Sequence, residues 1–187
     1  SDLKESLKLQ PQDNLAAHQL LAVITQRLGL RDEAQYHLEE VQKTDPNSVE
    51  LLTAQALALN NRQGLELLTR AIEQNRFDPD LYLYRGQMAF HVTVQEGKSS
   101  EIVVRAIHDL EMALAANPKS PIALNHLLWF LSYHGDVIGR DVAKHRAEEI
   151  LSDWESWAPD DPTFLTSQLR HYRFTNQLEK AADVGER

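Results

Sequence analysis

Hydrophobic residues recur at helical spacing along the chain. An apolar stripe with i, i+3, i+4 spacing predicts an amphipathic helix, because such positions share one face. In the first clear case the apolar positions are Leu20, Leu21, Ile24, Leu28, Leu38 and Val41. Gly29 and Asp32 interrupt the stripe, so the segment is predicted to form two helices joined by a turn.

The same arrangement returns four times. The predicted pairs are 49–59 with 65–74, 81–94 with 102–115, 122–133 with 141–157, and 163–174 with 178–185. Alternation typical of a strand occurs only at 91–94, which we assign to a helix end. Helix pairs repeated every 30–45 residues predict an all-α solenoid, in which each pair buries its apolar face against its neighbours.

Individual residues of these pairs resemble the tetratricopeptide repeat. The run Gly-Leu-Arg-Asp-Glu-Ala at 29–34, followed by Leu38, Val41 and Asp45-Pro46, is similar to the second half of such a repeat. In that family small residues stand at positions 8 and 20, a turn residue at position 15, and proline at position 32. The resemblance implies a right-handed α-α superhelix of about five helix-turn-helix repeats.

In this frame the repeats begin at about residues 15, 49, 79, 121 and 162. The small residues at position 8 of the first three repeats are Ala22, Ala56 and Gly86, and those at position 20 of all five are Ala34, Gly64, Ala106, Ala147 and Ala181. Position 15 is Gly29, Gly135 or Asn176 in the first, fourth and fifth repeats, residues that tolerate a left-handed backbone. Residues 1–14 are interpreted as the end of a preceding repeat, so we expect a single array cut from a longer protein.

Several positions depart from the family pattern. The repeat starts lie 34, 30, 42 and 41 residues apart, which places insertions near 93–100 and 137–144. Bulky Leu128, Leu169 and Trp154 replace small residues at packing positions, so the array is predicted to be less regular than the family average. Ser99 or Ser100 could cap the following helix, or the insertions could face a partner, and both interpretations stay open.

The resemblance implies that the first helix of each repeat lines a concave groove. The candidate partner-binding residues there are Tyr84, Gln87, His91, Asn125, His126, Trp129, Tyr133, Arg170 and Arg173. Rings, amides and arginines suit an extended peptide or a partner helix, and Arg170 with Arg173 could hold a carboxylate. Alternatively, Tyr84, Phe90 and Trp129, the rings at groove positions of the third and fourth repeats, only pack between neighbouring helices.

Two more specific resemblances lead to different expectations. Members that grip chaperone C-termini place lysine, asparagine and arginine at groove positions where this chain has Gln19, Val23, Ala54, Asp80 and Tyr84. A chaperone-tail clamp is therefore not expected. Segments 128–131, 135–136, 151–154 and 177–181 look similar to repeats of bacterial exopolysaccharide export proteins, which gives an alternative function in contact with polysaccharide or its modifying enzymes.

Composition narrows the classes of partner. The 187 residues include 19 basic and 28 acidic side chains, and a net charge of −9 argues against nucleic-acid binding and slightly favours a basic partner. Apolar runs reach only about ten residues, about half of what spans a bilayer. We expect a soluble segment, cytoplasmic or bacterial periplasmic, since the absence of cysteine leaves the compartment open.

Motifs for metal binding and catalysis are absent from the sequence. The eight histidines contain no i, i+4 pair and no HExxH, and there is no cysteine. No GxSxG elbow, phosphate loop or GxGxxG turn occurs. We therefore expect no metal, no cofactor and no catalytic activity, and interpret the chain as a protein-protein interaction scaffold.

Overall fold

A computed structural model describes residues 15–186. The described residues form ten α-helices and one 3₁₀ turn, with no strand. The helices are α1 Leu15–Arg27, α2 Arg31–Thr44, α3 Val49–Leu59, α4 Arg62–Gln74, α5 Pro79–Glu96, α6 Ser100–Ala116, α7 Pro121–His134, α8 Arg140–Trp157, α9 Pro162–Phe174 and α10 Leu178–Gly185. The predicted all-α helical-repeat fold class is confirmed. The preceding repeat assigned to residues 1–14 lies outside the described residues.

The first helices α3, α5, α7 and α9 begin at the residues where the frame places a repeat start. Proline opens α5, α7 and α9, because its fixed φ suits the first helical turn and its missing N–H is not needed there. Side-chain oxygens cap three of these helices: Ser48 accepts from Leu51 N at 3.3 Å, Ser120 from Ala123 N at 3.3 Å, and Asp161 from Phe164 N at 2.8 Å. Local sequence therefore determines where these helices begin.

The described chain divides into two compact units, the first ending at Tyr84 and the second beginning at Arg85. In the first unit α1 packs on α2, α3 packs on α4, and α1 also contacts α3. Its small residues Ala22, Ala34, Ala56 and Gly64 are buried. A hydrophobic cluster lies around them, formed by Ala22, Leu38, Val41, Leu51 and Ala54.

Turns in the first unit depend on residues that accept a left-handed backbone. Gly29 has φ 71° and Asn60 has φ 44°. The Asn61 side chain then caps α4, accepting from Gln63 N at 3.0 Å and Gly64 N at 3.2 Å. Only Asn60 and Asn61 separate α3 from α4, which accounts for the short second repeat.

The second unit contains the rest of α5 and α6–α10. Helix α7 contacts α6, α8 and α9. Phe130, Trp154 and Phe164 are fully buried, and Leu128 is buried with them. Leu128 and Trp154 thus fill the core at positions where the repeat pattern has small residues, whereas Leu169, the third such replacement, is half-buried.

A buried ion pair joins α5 to α6 in the second unit. The Arg85 Nε and Nη2 atoms donate to the two Asp109 carboxylate oxygens, each at 2.8 Å. Burial raises the pKa of Asp109 above its ordinary value, while the guanidinium beside it opposes the rise. The geometry is the two-pronged arrangement in which arginine and carboxylate bind most strongly.

The structure corrects the expected left-handed turn at Gly135. Asn176 adopts it with φ 58°, but Gly135 has φ −60°. A Cβ atom at Gly135 would lie 2.5 Å from the Cβ of Ala143, so close approach of the chain requires the glycine. The left-handed backbone occurs instead at Gly139, with φ 97°, immediately before α8.

The third-repeat insertion mostly lengthens helices. Helix α5 continues to Glu96, and only 97–99 separate it from α6. Ser99 occupies the N-cap position of α6, but its side chain makes no cap hydrogen bond. Lys98 in this turn forms an ion pair with Asp136, in the turn that follows α7. In the described part of the chain, no helix is long and apolar enough to cross a membrane.

Candidate functional site

Five ring side chains from α5, α7 and α9 form a continuous contact in the second unit. We call this set the ring strip: Phe90, His126, Trp129, Tyr133 and Phe174. Ring centroids lie 4.7 Å apart between Phe90 and Trp129, 5.4 Å between Trp129 and Tyr133, and 4.2 Å between Tyr133 and Phe174. Phe90 also meets His126 at 5.1 Å. Edge-on and offset contacts of this kind stabilise aromatic clusters.

Helical spacing explains why the α7 rings share a face. His126, Trp129 and Tyr133 follow one another at i, i+3 and i+7, so they lie along one side of the helix. Trp129 is central, because it contacts a ring of α5 and stacks on Tyr133 at an interplanar angle of 23°. The strip thereby joins three first helices of successive pairs.

Part of the ring strip remains accessible. Phe174 is 49% exposed and Tyr133 is 36% exposed, whereas Phe90 and Trp129 are half-buried. The rings therefore pack between neighbouring helices, as one sequence interpretation had it, and also present surface to solvent. Clustered exposed rings are typical of protein-interaction surfaces.

Polar candidates lie beside the ring strip, but the two arginines are not joined. The Asn125 side-chain oxygen accepts from Ser167 Oγ at 2.7 Å and from Arg170 Nη1 at 3.4 Å. Arg170 is thus held against α7. Arg173 is exposed, and among the described residues its side chain makes no hydrogen bond or ion pair. Their joint hold on a carboxylate stays a prediction.

The histidines and Gln87 complete the candidate set in the second unit. His126 Nδ1 donates to the Ile122 carbonyl at 2.8 Å. Burial lowers the pKa of His126, while its hydrogen bond to the Ile122 carbonyl opposes the shift. His91 is exposed with its ring edge against Phe90, at 5.2 Å, and Gln87 is half-buried.

Tyr84 belongs to the first unit and is mainly a packing residue there. It is 7% exposed. The Arg27 guanidinium lies 5.4 Å from its ring centroid, and Arg27 Nη1 donates to the phenol oxygen at 3.1 Å. Burial raises the pKa of the Tyr84 hydroxyl. Little of this ring is open to a partner.

Two rings of the strip were not among the candidate partner-binding residues. Phe90, at position 12 of the third repeat, was considered at a groove position with packing as the alternative, whereas Phe174, at position 13 of the fifth, was not considered although position 13 is a groove position of the frame. The signal was therefore present in the sequence. Sequence spacing alone did not show which rings touch one another across helices.

Charge is unevenly distributed among the helices of the second unit. Helices α7 and α9 contain no carboxylate, and α9 contributes Arg170 and Arg173. Helix α8 carries the acidic residues Asp141, Glu148, Glu149, Asp153 and Glu155. The net charge of −9 belongs to the whole chain. Helices α7 and α9, which carry four of the five rings of the ring strip, do not contribute to that negative charge. Among the described residues, no group of three or more His, Asp or Glu side chains could hold a metal ion.

Solved structures share this fold at low sequence identity. PilW, described as a widely conserved type IV pilus biogenesis factor, has a TM-score of 0.70 and 17% identity over 97% of this chain and 79% of its own. A tetratricopeptide repeat protein from Parabacteroides merdae has a TM-score of 0.65 and 18% identity, covering 98% of this chain and 68% of that one. A thermophilic protein of the same repeat type from Thermus thermophilus has a TM-score of 0.57 and 22% identity, covering 92% and 87%.

These structural similarities show that the chain has the tetratricopeptide-repeat fold, as the sequence predicted. No protein-family model matches the chain. No curated protein matches it in sequence either.

Proposed function

We propose that the chain is a non-catalytic scaffold that binds a protein partner through the ring strip. The partner contributes an extended segment or a helix, and the flanking contacts come from Gln87, His91, Asn125, Arg170 and Arg173. The observation that carries the proposal is the continuous ring contact across α5, α7 and α9, with Tyr133 and Phe174 partly exposed. The repeat fold supports it, because such folds present extended binding surfaces.

The ring strip has the properties of an interface centre. Large rings contribute contact area at low conformational cost, and binding energy concentrates in a few such residues. Arg170 is already oriented by Asn125, which reduces what it loses in mobility when a partner binds. A partner with apolar residues flanked by acidic ones suits this surface, because α9 contains two arginines and neither α7 nor α9 contains a carboxylate.

Partner capture by matched variants tests the proposal. The bait is the intact chain, and the test variant is Tyr133→Ala with Phe174→Ala, which removes the two accessible rings. The control is Phe77→Ala, because Phe77 is 96% exposed and lies outside the ring strip. Loss of a hot-spot ring weakens binding by about 2 kcal/mol, or roughly 30-fold in Kd, measured on the identified partner by calorimetry. Circular dichroism confirms that each variant stays helical.

Two results would contradict the proposed function. If the ring-strip variant binds the partner as tightly as Phe77→Ala does, the ring strip is not the binding surface. If the captured material resists protease and consists of polysaccharide, the exopolysaccharide-export alternative becomes the function. The stacked Trp129 and Tyr133 rings would then be the first residues to test against sugar.

A further inference from the structure

A hydrogen bond fixes the tautomer of His126, one of the rings of the ring strip. Its Nδ1 lies 2.8 Å from the Ile122 carbonyl oxygen, one turn earlier on α7. A carbonyl oxygen only accepts, so Nδ1 carries the hydrogen and Nε2 of the neutral ring carries none. Neutral Nε2 is therefore an acceptor and repels a carboxylate oxygen. After protonation Nε2 becomes a charged donor, which a carboxylate binds strongly.

Two basic side chains from neighbouring helices lie beside His126. Phe90 of α5 is in ring contact with both His126 and His91, at centroid distances of 5.1 and 5.2 Å. Arg170 of α9 donates from Nη1 to the side-chain oxygen of Asn125, the residue before His126, at 3.4 Å. The second unit thus brings an arginine and two imidazoles together at one end of the ring strip.

Within the part of the chain that the structure describes, no carboxylate acts on His126. The charged and titratable groups that do act on it are His91 from α5 and Arg170 from α9, while α6, α8 and its own helix contribute none. Helices α7 and α9 contain no carboxylate, and those of α5 are Asp80 and Glu96, at its two ends. A protonated His126 therefore has no counter-charge in the free chain.

The free ring resists protonation for this reason and because of burial. Burial lowers the pKa of His126 most, the hydrogen bond to Ile122 opposes the shift, and His91 and Arg170 lower the pKa further. An opposite charge within about 4–6 Å has the reverse effect and favours the protonated ring. A ligand that favours the protonated ring binds more tightly as the pH falls, because the two equilibria are linked.

We propose that His126 and Arg170 bind an aspartate or glutamate side chain of the segment that occupies the ring strip, and that His126 Nε2 takes up a proton from solvent as it does so. Binding through the ring strip is then stronger in acidic than in neutral solution. The identity of the segment rests on the proposed function. The proton-linked binding of a carboxylate next to Phe90 does not, so the two can be tested separately.

Histidine NMR of the intact chain with two small probes tests the proton uptake. The probes are phenylacetate and phenylacetamide, which share a ring and differ in charge. Saturating phenylacetate is expected to move the titration of the His126 ring to higher pH, and phenylacetamide to leave it unchanged. The Kd of phenylacetate should be at least about threefold lower at pH 5.5 than at pH 7.5, where most carboxyl groups are ionised at both values. Circular dichroism at both pH values confirms that the chain is folded.

Three results with these probes overturn the proposal. The first is the absence of a saturable shift with phenylacetate, and the second is an unchanged His126 titration or an equal Kd at the two pH values. The third is an equal effect of both probes, since ring contact and not charge would then explain the binding.

Matched variants assign the proton and the cation. His126→Phe keeps a ring against Phe90 and removes the proton site, so the pH dependence of the phenylacetate Kd should disappear. His145→Phe makes the same exchange at an exposed site of α8 and should preserve it. Arg170→Gln should raise the Kd about tenfold at both pH values, whereas Arg105→Gln, at an exposed site of α6, should not. If both members of either pair act alike, the assignment to His126 and Arg170 is wrong.

The captured partner then tests the link to the ring strip. Replacing the acidic residues of its bound segment by the corresponding amides should abolish the tighter binding at pH 5.5. If the amide form keeps the same pH dependence, the segment does not supply the carboxylate, and the inference is overturned while the proposed function stands. If the Tyr133→Ala, Phe174→Ala variant captures the partner normally while phenylacetate still moves the His126 titration, only the proposed function fails.

Discussion

The two units bury their helix pairs in different ways. In the first unit the buried packing positions are the small residues Ala22, Ala34, Ala56 and Gly64. In the second unit Ala106, Ala147 and Ala181 are likewise buried, but bulky Leu128 and Trp154 are buried at two positions where the repeat pattern has small residues. The ring strip lies in the second unit. The same repeat pattern therefore accommodates a regular core and a bulkier one, and the bulkier unit carries the surface features that suit a partner.

Buried polar groups also differ between the units. The first unit places the Nδ1 atoms of His18 and His37 3.0 Å apart, so one imidazole donates and the other accepts. The second unit buries a full ion pair, Arg85 with Asp109. A buried charge that loses its partner is far more costly than a neutral group, so the second unit should be the more sensitive to a single substitution.

The largest expected effect is the loss of the Asp109 carboxylate. Asp109→Ala leaves the buried Arg85 guanidinium without this counter-charge and should lower the free energy of unfolding by about 3–5 kcal/mol. Urea denaturation measures the loss, and amide exchange should accelerate mainly within 85–186. The exposed Glu66→Ala is the control, with an effect within about 0.5 kcal/mol.

The double variant Arg85→Met, Asp109→Leu tests whether the unpaired charge causes the loss of stability in Asp109→Ala. Replacing both charges by apolar groups of similar size removes the need for pairing, so most of the stability should return. If the double variant is as unstable as Asp109→Ala, lost packing and not lost charge explains the effect.

A smaller effect distinguishes two glycines, one in each unit. Gly135→Ala places a methyl group 2.5 Å from the Ala143 Cβ and should cost about 1–3 kcal/mol. Adding Ala143→Gly should recover part of this loss, even though glycine lowers helix propensity by about 1 kcal/mol.

Gly29→Ala is the matched case in the first unit. Its φ is 71° and no atom lies within 4 Å of a new Cβ, so backbone strain alone should cost about 1–2 kcal/mol. No neighbouring substitution should rescue it. Rescue of Gly135→Ala without rescue of Gly29→Ala is the expected pattern in urea denaturation, and failure of Ala143→Gly to help contradicts the close-approach explanation.

The smallest effect is a pH dependence of the second unit. Burial lowers the pKa of His126, His134 and His171 below the ordinary value of 6.5. Nearby Lys98 and Lys144 act in the same direction on His134 and His171, while Asp136 and Glu148 oppose them. As pH falls below about 6.5, the unfolded chain takes up protons that the folded unit resists, so stability declines toward the lowered pKa values.

Denaturation at pH 7.5, 6.5 and 5.5 measures this decline, above the range where ordinary carboxyl groups titrate. His171→Gln should flatten the dependence, although removing the buried ring also lowers stability at every pH. His145→Gln, at an exposed position, should leave the slope unchanged. Stability that stays constant or rises on acidification contradicts the assignment of buried neutral histidines.

Local sequence patterns predicted most of the helices. Helix α3 has the predicted bounds, and α5, α7 and α9 begin at the prolines of the repeat frame. Apolar period, prolines and capping residues act within one or two turns of helix, so they can be read from the sequence. The expectation that all five pairs form a single array stays a prediction.

The candidate site was only partly predictable. Trp129 and Tyr133 were identified because the repeat frame places them on one face. Phe174 was not, since its contact with Tyr133 comes from the packing of α9 on α7. Tyr84 was included, yet it is buried beneath Arg27, a contact between distant parts of the chain.

Sequence alone determined the helix pairs, their starts and the fold class, because these depend on local spacing and caps. Tertiary structure alone decided that Gly135 is needed for close approach to Ala143 and that Arg170 binds Asn125. It also decided that residues of α7, α8 and α9 line one cavity of about 310 Å³. These features depend on distances between residues far apart in sequence, and such distances are determined only when the helices pack.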